Sequence, residues 1–334
     1  MTGPWTTTPP SAYVAVDGGG TSTRSVVVDA TGRRLGVARA GSGNPVSAGT
    51  ELSARSITES VAAALAAAGL GADRLGLLLL AVAGTGSPTH REELRRRLIE
   101  AGLVMPVVFE SDLLAMFAAG THVLDGYALV AGTGAAAIRV EDGRQVAVAD
   151  GLGWLLGDDG SGFWIGRRVV RAALADLDGR GPTTALTSLL LGRLGLAPDV
   201  ASPRETVAAA VSRLYADRPV RLAEFARLAF EARGDEAAAT ILRGAGSALA
   251  RTLHAVAVPP LRGPVVLGGS ILAHHPDLGA VVAGELARIL PDGEEPVDVR
   301  TVTDGLTGAA VLALRRAGLT VDEAVHARLR SSIS

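Results

Sequence analysis

Two glycine turns set into apolar strands are the residues of this chain whose types and spacing point most directly to chemistry. The first is Val14-Ala15-Val16-Asp17-Gly18-Gly19-Gly20-Thr21 and the second is Ala128-Leu129-Val130-Ala131-Gly132-Thr133-Gly134. Each runs into another apolar stretch, 25–29 or 136–140, then a polar turn ending at Gly32 or Gly143, then a third short strand. Glycine lets backbone amides approach an anion with no Cβ in the way, and consecutive amides form a nest that cradles phosphate. Two such hairpins predict two similar half-molecules gripping one nucleotide. Asp17 ends a strand at the first turn. Thr21 and Thr23 offer hydroxyls to phosphate, although threonine is equally at home as a strand former. Asp112 sits between an apolar strand, 107–109, and a helical run, 113–119, where an aspartate also satisfies the first amides of a helix.

A third glycine segment competes with these. Ala83-Gly84-Thr85-Gly86 is identical to Ala131-Gly132-Thr133-Gly134. The first copy leads into Ser87-Pro88 and a helix with Glu92 and Glu93 near its start, whereas the second leads into a strand. Only the second matches a phosphate hairpin, and 83–86 reads as a strand–helix connection.

Composition narrows the chemistry by exclusion. No cysteine is present, so disulfides, thiolate metal sites, iron–sulfur clusters and thiol nucleophiles are ruled out. All 32 basic residues are arginine, which also removes a phosphate-loop lysine, a protein-kinase lysine and a Schiff base. Any phosphate charge must therefore be neutralised by a metal ion, backbone amides or arginine. With a net charge of −2 and no basic cluster beyond Arg91 and Arg95 to Arg97, which read as a solvated helix face, nucleic-acid binding has no support. The six histidines form no metal spacing, and His274 and His275 are expected to be exposed. Apolar residues make up 48% of the chain, yet every long run is interrupted well before the roughly 18 residues a membrane helix needs. Residues 1–11, rich in threonine and proline without a signal-peptide pattern, read as a disordered tail on a cytoplasmic protein.

The elements that must position these residues follow from periodicity. Strands are predicted at 13–16, 25–29 and 34–38, a loop at 41–45, a helix over about 50–68, a strand at 77–82, a helix over about 89–101 and a strand at 106–110. Three antiparallel strands extended by strand–helix units predict an α/β ribonuclease-H-like fold. A Rossmann unit would instead open a helix directly after its first glycine turn. The pattern restarts at Tyr127, is interrupted by a mostly helical block over about 161–259, and resumes with a strand at 265–267, a helix after Ser270, a strand at 297–301 and a helix at 305–316. The reading divides the chain into an N-terminal domain, 12–118, and a C-terminal domain, 119–334, that carries the insertion, with the last helix packing back on the N-terminal domain.

In their order and spacing these segments resemble the sugar-kinase branch of the actin and hexokinase superfamily, specifically the BadF/BadG/BcrA/BcrD ATPase group that contains N-acetylglucosamine kinases. The resemblance runs from Ala15 to Ala317. It is carried by Asp17-Gly18-Gly19-Gly20-Thr21, Gly43-Asn44-Pro45, Ser111-Asp112, Gly132-Thr133-Gly134, Gly157-Asp158-Asp159-Gly160-Ser161 and Leu267-Gly268-Gly269-Ser270. It implies two ribonuclease-H-like, actin-like ATPase domains flanking a nucleotide and sugar cleft. It further implies ATP and Mg2+ as cofactors, a hexosamine substrate and a homodimer. By that resemblance Asp112 is the general base, and Asp17 holds the magnesium ion. Gly18, Gly19, Gly20, Thr21, Thr23, Gly132, Thr133, Gly134, Gly268, Gly269 and Ser270 contact the nucleotide. Asn44, Asp112, Gly151, Leu152, Gly153 and Asp158 contact the sugar.

Two departures from the family pattern concern the substrate. Ala135 stands where the second hairpin usually has serine. Leu152 stands where the sugar loop usually has tryptophan, with Trp154 two positions later. Trp154 either supplies the missing sugar-facing surface or packs into the core. The implied reaction is phosphorylation of the 6-hydroxyl of N-acetyl-D-glucosamine, with glucosamine or another hexosamine as the alternative and a non-catalytic ATP- and sugar-binding sensor as a further one.

Overall fold

The computed structural model describes residues 12–197, 202–258, 263–289 and 298–333. The segment read as a tail, 1–11, lies outside the described residues. The first half of the chain forms β1 (Ala12–Gly18), β2 (Thr23–Val28), β3 (Arg34–Ala40), the short helix α1 (Pro45–Ala48), α2 (Thr50–Ala68), β4 (Leu75–Val82), α3 (Pro88–Glu100), β5 (Val107–Glu110) and α4 (Asp112–Gly120). Its sheet has the order β3-β2-β1-β4-β5, with β1 to β3 antiparallel and β4 and β5 parallel to β1.

The pattern then repeats as β6 (Gly126–Ala131), β7 (Ala135–Glu141) and β8 (Arg144–Asp150). The helical block follows as α5 (Gly162–Leu177), α6 (Ala185–Leu194), α7 (Pro203–Tyr215), α8 (Ala226–Glu231) and α9 (Glu236–His254). After it come β9 (Val265–Gly268), α10 (Gly269–His274), α11 (Pro276–Ile289), β10 (Val299–Thr301), α12 (Leu306–Arg316) and α13 (Glu323–Ile333). The second sheet has the order β10-β9-β6-β7-β8, with β9 parallel to both β6 and β10. Read from its other edge this is the order of the first sheet, so the α/β fold holds two ribonuclease-H-like sheets.

The central strands explain why the pattern is so legible. β1 and β4 read as nearly continuous apolar runs because both of their faces are covered, the usual condition of parallel strands. On one face Val14, Val16, Leu78 and Leu80 pack with Ile57 and Val61 of α2 and Leu94 and Leu98 of α3. On the other lie α4 and α12. β3, an edge strand, is exposed or half-buried at every residue except the buried Gly36.

The chain separates into two compact units. One takes the described residues up to Leu124 together with Val140–Gln145 and those from Asp304 onward; the other takes Asp125–Arg139 and the described residues of 146–303. The sequence reading drew its boundary at 118/119, inside α4. The structure keeps α4 whole, because its buried residues Leu114, Ala115, Phe117 and Ala118 belong to the layer that meets α12. Residues 304–333 likewise return to the first unit, where the imidazole Nε2 of His326 in α13 lies 3.0 Å from the Ala118 carbonyl. The tip of the β7–β8 hairpin is counted there too, and Gly143 N–H donates to the Leu124 carbonyl at 2.9 Å.

α12 is buried from Leu306 through Leu314, and its approach to α4 is set by Gly308, where a Cβ would overlap the Ala115 carbonyl. Alanine gains roughly 1 kcal/mol over glycine inside an ordinary helix, whereas forcing an atom into a packed contact costs about 1–3 kcal/mol. Gly308→Ala is therefore expected to lower the urea midpoint with an unchanged m-value. A variant more stable than the parent would show that this contact does not set the helix spacing.

Candidate functional site

In the first unit the hairpin register does the positioning. β1 and β2 pair Asp17 with Arg24 directly across the ladder, and Gly18 with Thr23. Arg24 donates through Nη2 to Asp17 Oδ2 at 2.7 Å, and its Nη1 lies 2.8 Å from Asp304 Oδ2. One guanidinium thus bridges two carboxylates. Asp304 also accepts from Leu306 N–H at 3.0 Å at the entry to α12. Gly305 closes the arrangement from behind, since a Cβ there would stand 3.3 Å from Asp17 Oδ1. Burial pushes the Asp17 carboxyl above its ordinary pKa; Arg24 pulls it back and the Asp304 charge adds to the rise.

The glycine turn that follows is closed by Gly19 N–H donating to Ser22 O at 2.9 Å, while the amides of Gly20 and Thr21 have no hydrogen-bond partner among the described residues. A Cβ on Gly18 would press on Val82 at 2.9 Å, so the turn lies flush against β4. The loop carrying Asn44 is tied to the turn. Gly43 N–H, Asn44 N–H and the Ser42 hydroxyl all donate to the Gly19 carbonyl, at 3.1, 3.2 and 3.3 Å. Asn44 Oδ1 also caps α1, accepting from Val46 N–H at 2.8 Å and Ser47 N–H at 3.3 Å. The predicted loop over 41–45 thus ends in a one-turn helix whose start signal is Asn44-Pro45. Thr23 is fully buried, and its hydroxyl has no hydrogen-bond partner among the described residues; it packs beneath Gly43.

Asp112 is the first residue of α4, preceded by Ser111 at the N-cap position without a side-chain cap. Among the described residues no other side chain is hydrogen-bonded to its carboxylate, which is met only by backbone amides of Asp112 and Leu113. Burial pushes it above the ordinary carboxylate value, and the charge of Asp17 adds to the rise. Asp17 and Asp112 therefore belong to one local cluster, with Arg24 as its bound cation.

In the second unit the glycine turn is held from α5. Gly162 N–H donates to the Gly132 carbonyl at 2.7 Å and Phe163 N–H to the Thr133 carbonyl at 3.2 Å, while Gly132 N–H closes the turn on Gly134 O at 2.9 Å. The amides of Thr133 and Gly134 have no partner among the described residues. The segment from Gly268 to Ser270 passes close by. Gly269 has φ +85°, and a Cβ there would meet the Ala131 backbone, while one on Gly132 would lie 3.7 Å from Ser270 Oγ. The nucleotide candidates Gly132, Thr133, Gly134, Gly268, Gly269 and Ser270 are thereby brought together.

Asp158 is buried, has φ +59°, and accepts from Ala135 N–H at 3.1 Å through Oδ1, with Gly134 packed directly on its carboxyl. Burial raises its pKa, the nearby Asp150 and Asp159 charges add to the rise, and amide donors at Ala135 and Gly153 oppose it. Its visible task is to brace the glycine turn. Ala135 itself is buried, which accounts for an apolar residue at that position.

A family model for the BadF/BadG/BcrA/BcrD ATPases matches residues 14–313. The chain belongs to that family. Among curated relatives, the N-acetyl-D-glucosamine kinase of Dictyostelium discoideum is 27% identical over 322 residues, covering 90% of this chain and 97% of that protein. The glucosamine kinase of Vibrio cholerae is 29% identical over 180 residues, and the match spans only 60% of that relative's length and 54% of this chain. A solved structure from Chromobacterium violaceum, provisionally assigned as an N-acetylglucosamine kinase, superposes with a TM-score of 0.71 at 25% identity over 91% of this chain and 99% of that one.

As a member of this family the chain shows site features that local sequence reading missed. Arg24 was readable in principle, because a hairpin turn between Gly18 and Thr23 places it opposite Asp17. Asp304 carries no local signal. Asp150 organises the sugar-loop candidates: it has φ +63°, and accepts from Asp158 N–H at 2.7 Å and Asp159 N–H at 3.0 Å. Gly151 and Gly153 take positive φ, and Gly151 N–H donates to Ala135 O at 3.0 Å. Leu152 is exposed, and Trp154, partly exposed, tilts against Phe163 with ring centroids 5.4 Å apart, so Trp154 is neither a core residue nor free of packing.

Other readings change with the three-dimensional setting. The strand–helix connection at 83–86 joins β4 to α3 and gains a contact there: Gly84, at φ +81°, lets the chain pass against the Asn44 side chain, which a Cβ there would overlap. His275 is not free on the surface. Its ring stacks on Phe230 at 3.4 Å, and burial lowers its pKa. Arg91 and Arg95 are more than a solvated face, since both donate to backbone carbonyls, of Thr85 and Val107 respectively.

The folded pKa of Asp112 lies above the ordinary 3.8, so its charge opposes folding once the pH rises above that value, and the penalty is absent below it. Asp112→Asn is expected to raise the thermal midpoint at neutral pH, with the gain fading as pH is lowered toward 3.8. Thermal scans at several pH values check this. A lower midpoint at neutral pH would mean that the carboxylate is held by a partner that asparagine cannot satisfy.

Proposed function

We propose that the protein is an ATP-dependent amino-sugar kinase that transfers the γ-phosphoryl group to the 6-hydroxyl of N-acetyl-D-glucosamine, with Asp112 as general base. The observation that carries this reading is Asp112 itself: a desolvated carboxylate at the start of α4, bound by no other side chain among the described residues, beside a second carboxylate at a glycine turn. A raised pKa makes a carboxylate a stronger base nearer working pH. The family match and relatives named for amino-sugar kinase activity support the same reading.

Phosphoryl transfer asks for positioning and charge neutralisation more than for covalent help. The unpartnered amides of Gly20, Thr21, Thr133 and Gly134 suit phosphate oxygens. Asn44, tethered to the Gly19 carbonyl, suits a sugar hydroxyl. Asp112 then accepts the proton of the hydroxyl as it attacks. Among the described residues no group of three or more His, Cys, Asp or Glu is arranged to hold a metal. That fits Mg2+, which binds through one or two carboxylates, phosphate oxygens and water. Asp17, with Asp112 nearby, is the residue that would hold it, and the ion would supply neutralisation of phosphate charge.

The exposed Leu152 bears on specificity. A hydrophobic contact of that size discriminates by only about 1–3 kcal/mol, so modest preference among N-acetylglucosamine, glucosamine and glucose is expected, and comparison of kcat/KM for the three decides it. A much larger preference would show that other groups read the 2-substituent.

The central test is Asp112→Asn in a coupled ADP-release assay. Turnover should fall by roughly 10²- to 10⁴-fold while ATP binding persists. Near-normal turnover would remove Asp112 from the role of base, and absence of ADP release by the parent protein with every hexosamine would favour a non-catalytic sensor.

A further inference from the structure

An open pocket of about 660 Å³ is formed by the helical block, lined from α5 by the exposed Arg167 and Arg171 and the half-buried Arg168, and on the facing side by the exposed Thr183, Glu236 and Thr240. None of the three arginines takes part in an ion pair among the described residues. Arg167 and Arg171 lie one helical turn apart, which puts both on one face of α5. Arg168 is laid flat over Trp164, its guanidinium carbon 3.2 Å from the ring centroid, and its Nη1 contacts the Trp164 carbonyl at 3.5 Å. Burial lowers the Arg168 pKa, Asp159 opposes this, and the neighbouring charges of Arg167 and Arg171 add to it.

The one carboxylate on the lining does not balance this charge. Glu236 is already paired with Arg243 at 2.7 Å, and its pKa is lowered chiefly by that hydrogen bond. The pocket therefore presents three guanidinium groups with no ion-pair partner among the described residues, the Thr183 hydroxyl opposite them, and the apolar side chains of Ala172 and Ile241 between; the Thr240 hydroxyl is already engaged, accepting from Arg243 Nη2 at 2.9 Å. A pocket of this volume suits a small metabolite, and guanidinium forks match phosphate oxygens in geometry and charge.

We propose that this pocket is a further ligand site, for a phosphorylated sugar whose phosphate is held by Arg167, Arg168 and Arg171 and whose hydroxyls meet Thr183. The choice of a phosphorylated sugar rests on the kinase reading, whereas the site itself is tested by binding measured without turnover, so failure of one is distinguishable from failure of the other.

The test is isothermal titration of the full chain with glucosamine 6-phosphate, in the presence of saturating N-acetylglucosamine and a non-hydrolysable ATP analogue. Inorganic phosphate is titrated in a parallel arm. A binding event is expected that survives the two saturating ligands, weakens with salt, and is at least about tenfold tighter for the phosphosugar than for inorganic phosphate. Arg167→Gln with Arg171→Gln should weaken it by roughly tenfold for each lost charge-assisted contact, with the thermal midpoint and the ADP-release rate in the absence of phosphosugar unchanged. Complete competition by the sugar and ATP analogue, equal affinity for inorganic phosphate, or parental affinity in the double variant would each overturn the proposal.

Discussion

One guanidinium carries the electrostatics of the first unit. Asp17 and Asp304 approach each other from opposite ends of the chain, and Arg24 lies between them with a nitrogen on each. Two carboxylates cannot be desolvated side by side without a counter-charge, because the desolvation penalty for ions exceeds what partial burial returns. Arg24 supplies that charge, and with it the position of the segment that enters α12. The same requirement limits what stands beside it. Among the described residues no cation pairs with Asp112, and its pKa is raised by burial and by Asp17 together. A group left in that condition is a poor stabiliser and a good proton acceptor, the usual trade at a reactive site.

The two glycine turns solve one problem by different supports. Each leaves two consecutive amides without a partner among the described residues, at Gly20 and Thr21 and at Thr133 and Gly134. The first turn is steadied by the loop before α1, which places three donors on the Gly19 carbonyl. The second is steadied by the first turn of α5 and by Asp158. The difference follows from what is inserted after the third strand of each unit: a short loop and α1 in one, a sugar-loop candidate and five helices in the other. Shared strand order thus coexists with separate local chemistry.

Much of this was legible in the sequence because the forces that form strands, helices and glycine turns act over a few residues. Covered strands such as β1 and β4 must be apolar, amphipathic α2 must repeat every three to four residues, and amides can be laid bare in a tight turn only where no Cβ intervenes. From those rules came the repeated ribonuclease-H-like pattern, the order of its elements and both glycine turns, while Asp112 became a candidate through the family resemblance. The absence of cysteine and lysine removed whole classes of chemistry in the same way.

Burial and partnership are not local, and there the tertiary structure decided. It paired Arg24 with Asp304, closed Thr23 under Gly43, turned Asp158 onto the Ala135 amide, made Asp150 the organiser of the loop that follows it, and set His275 against Phe230. Each depends on segments that meet only once the sheets are covered. The free energy of a charge or a hydroxyl is set by what surrounds it in space, whereas neighbouring residues alone are enough to determine whether the backbone turns or runs straight.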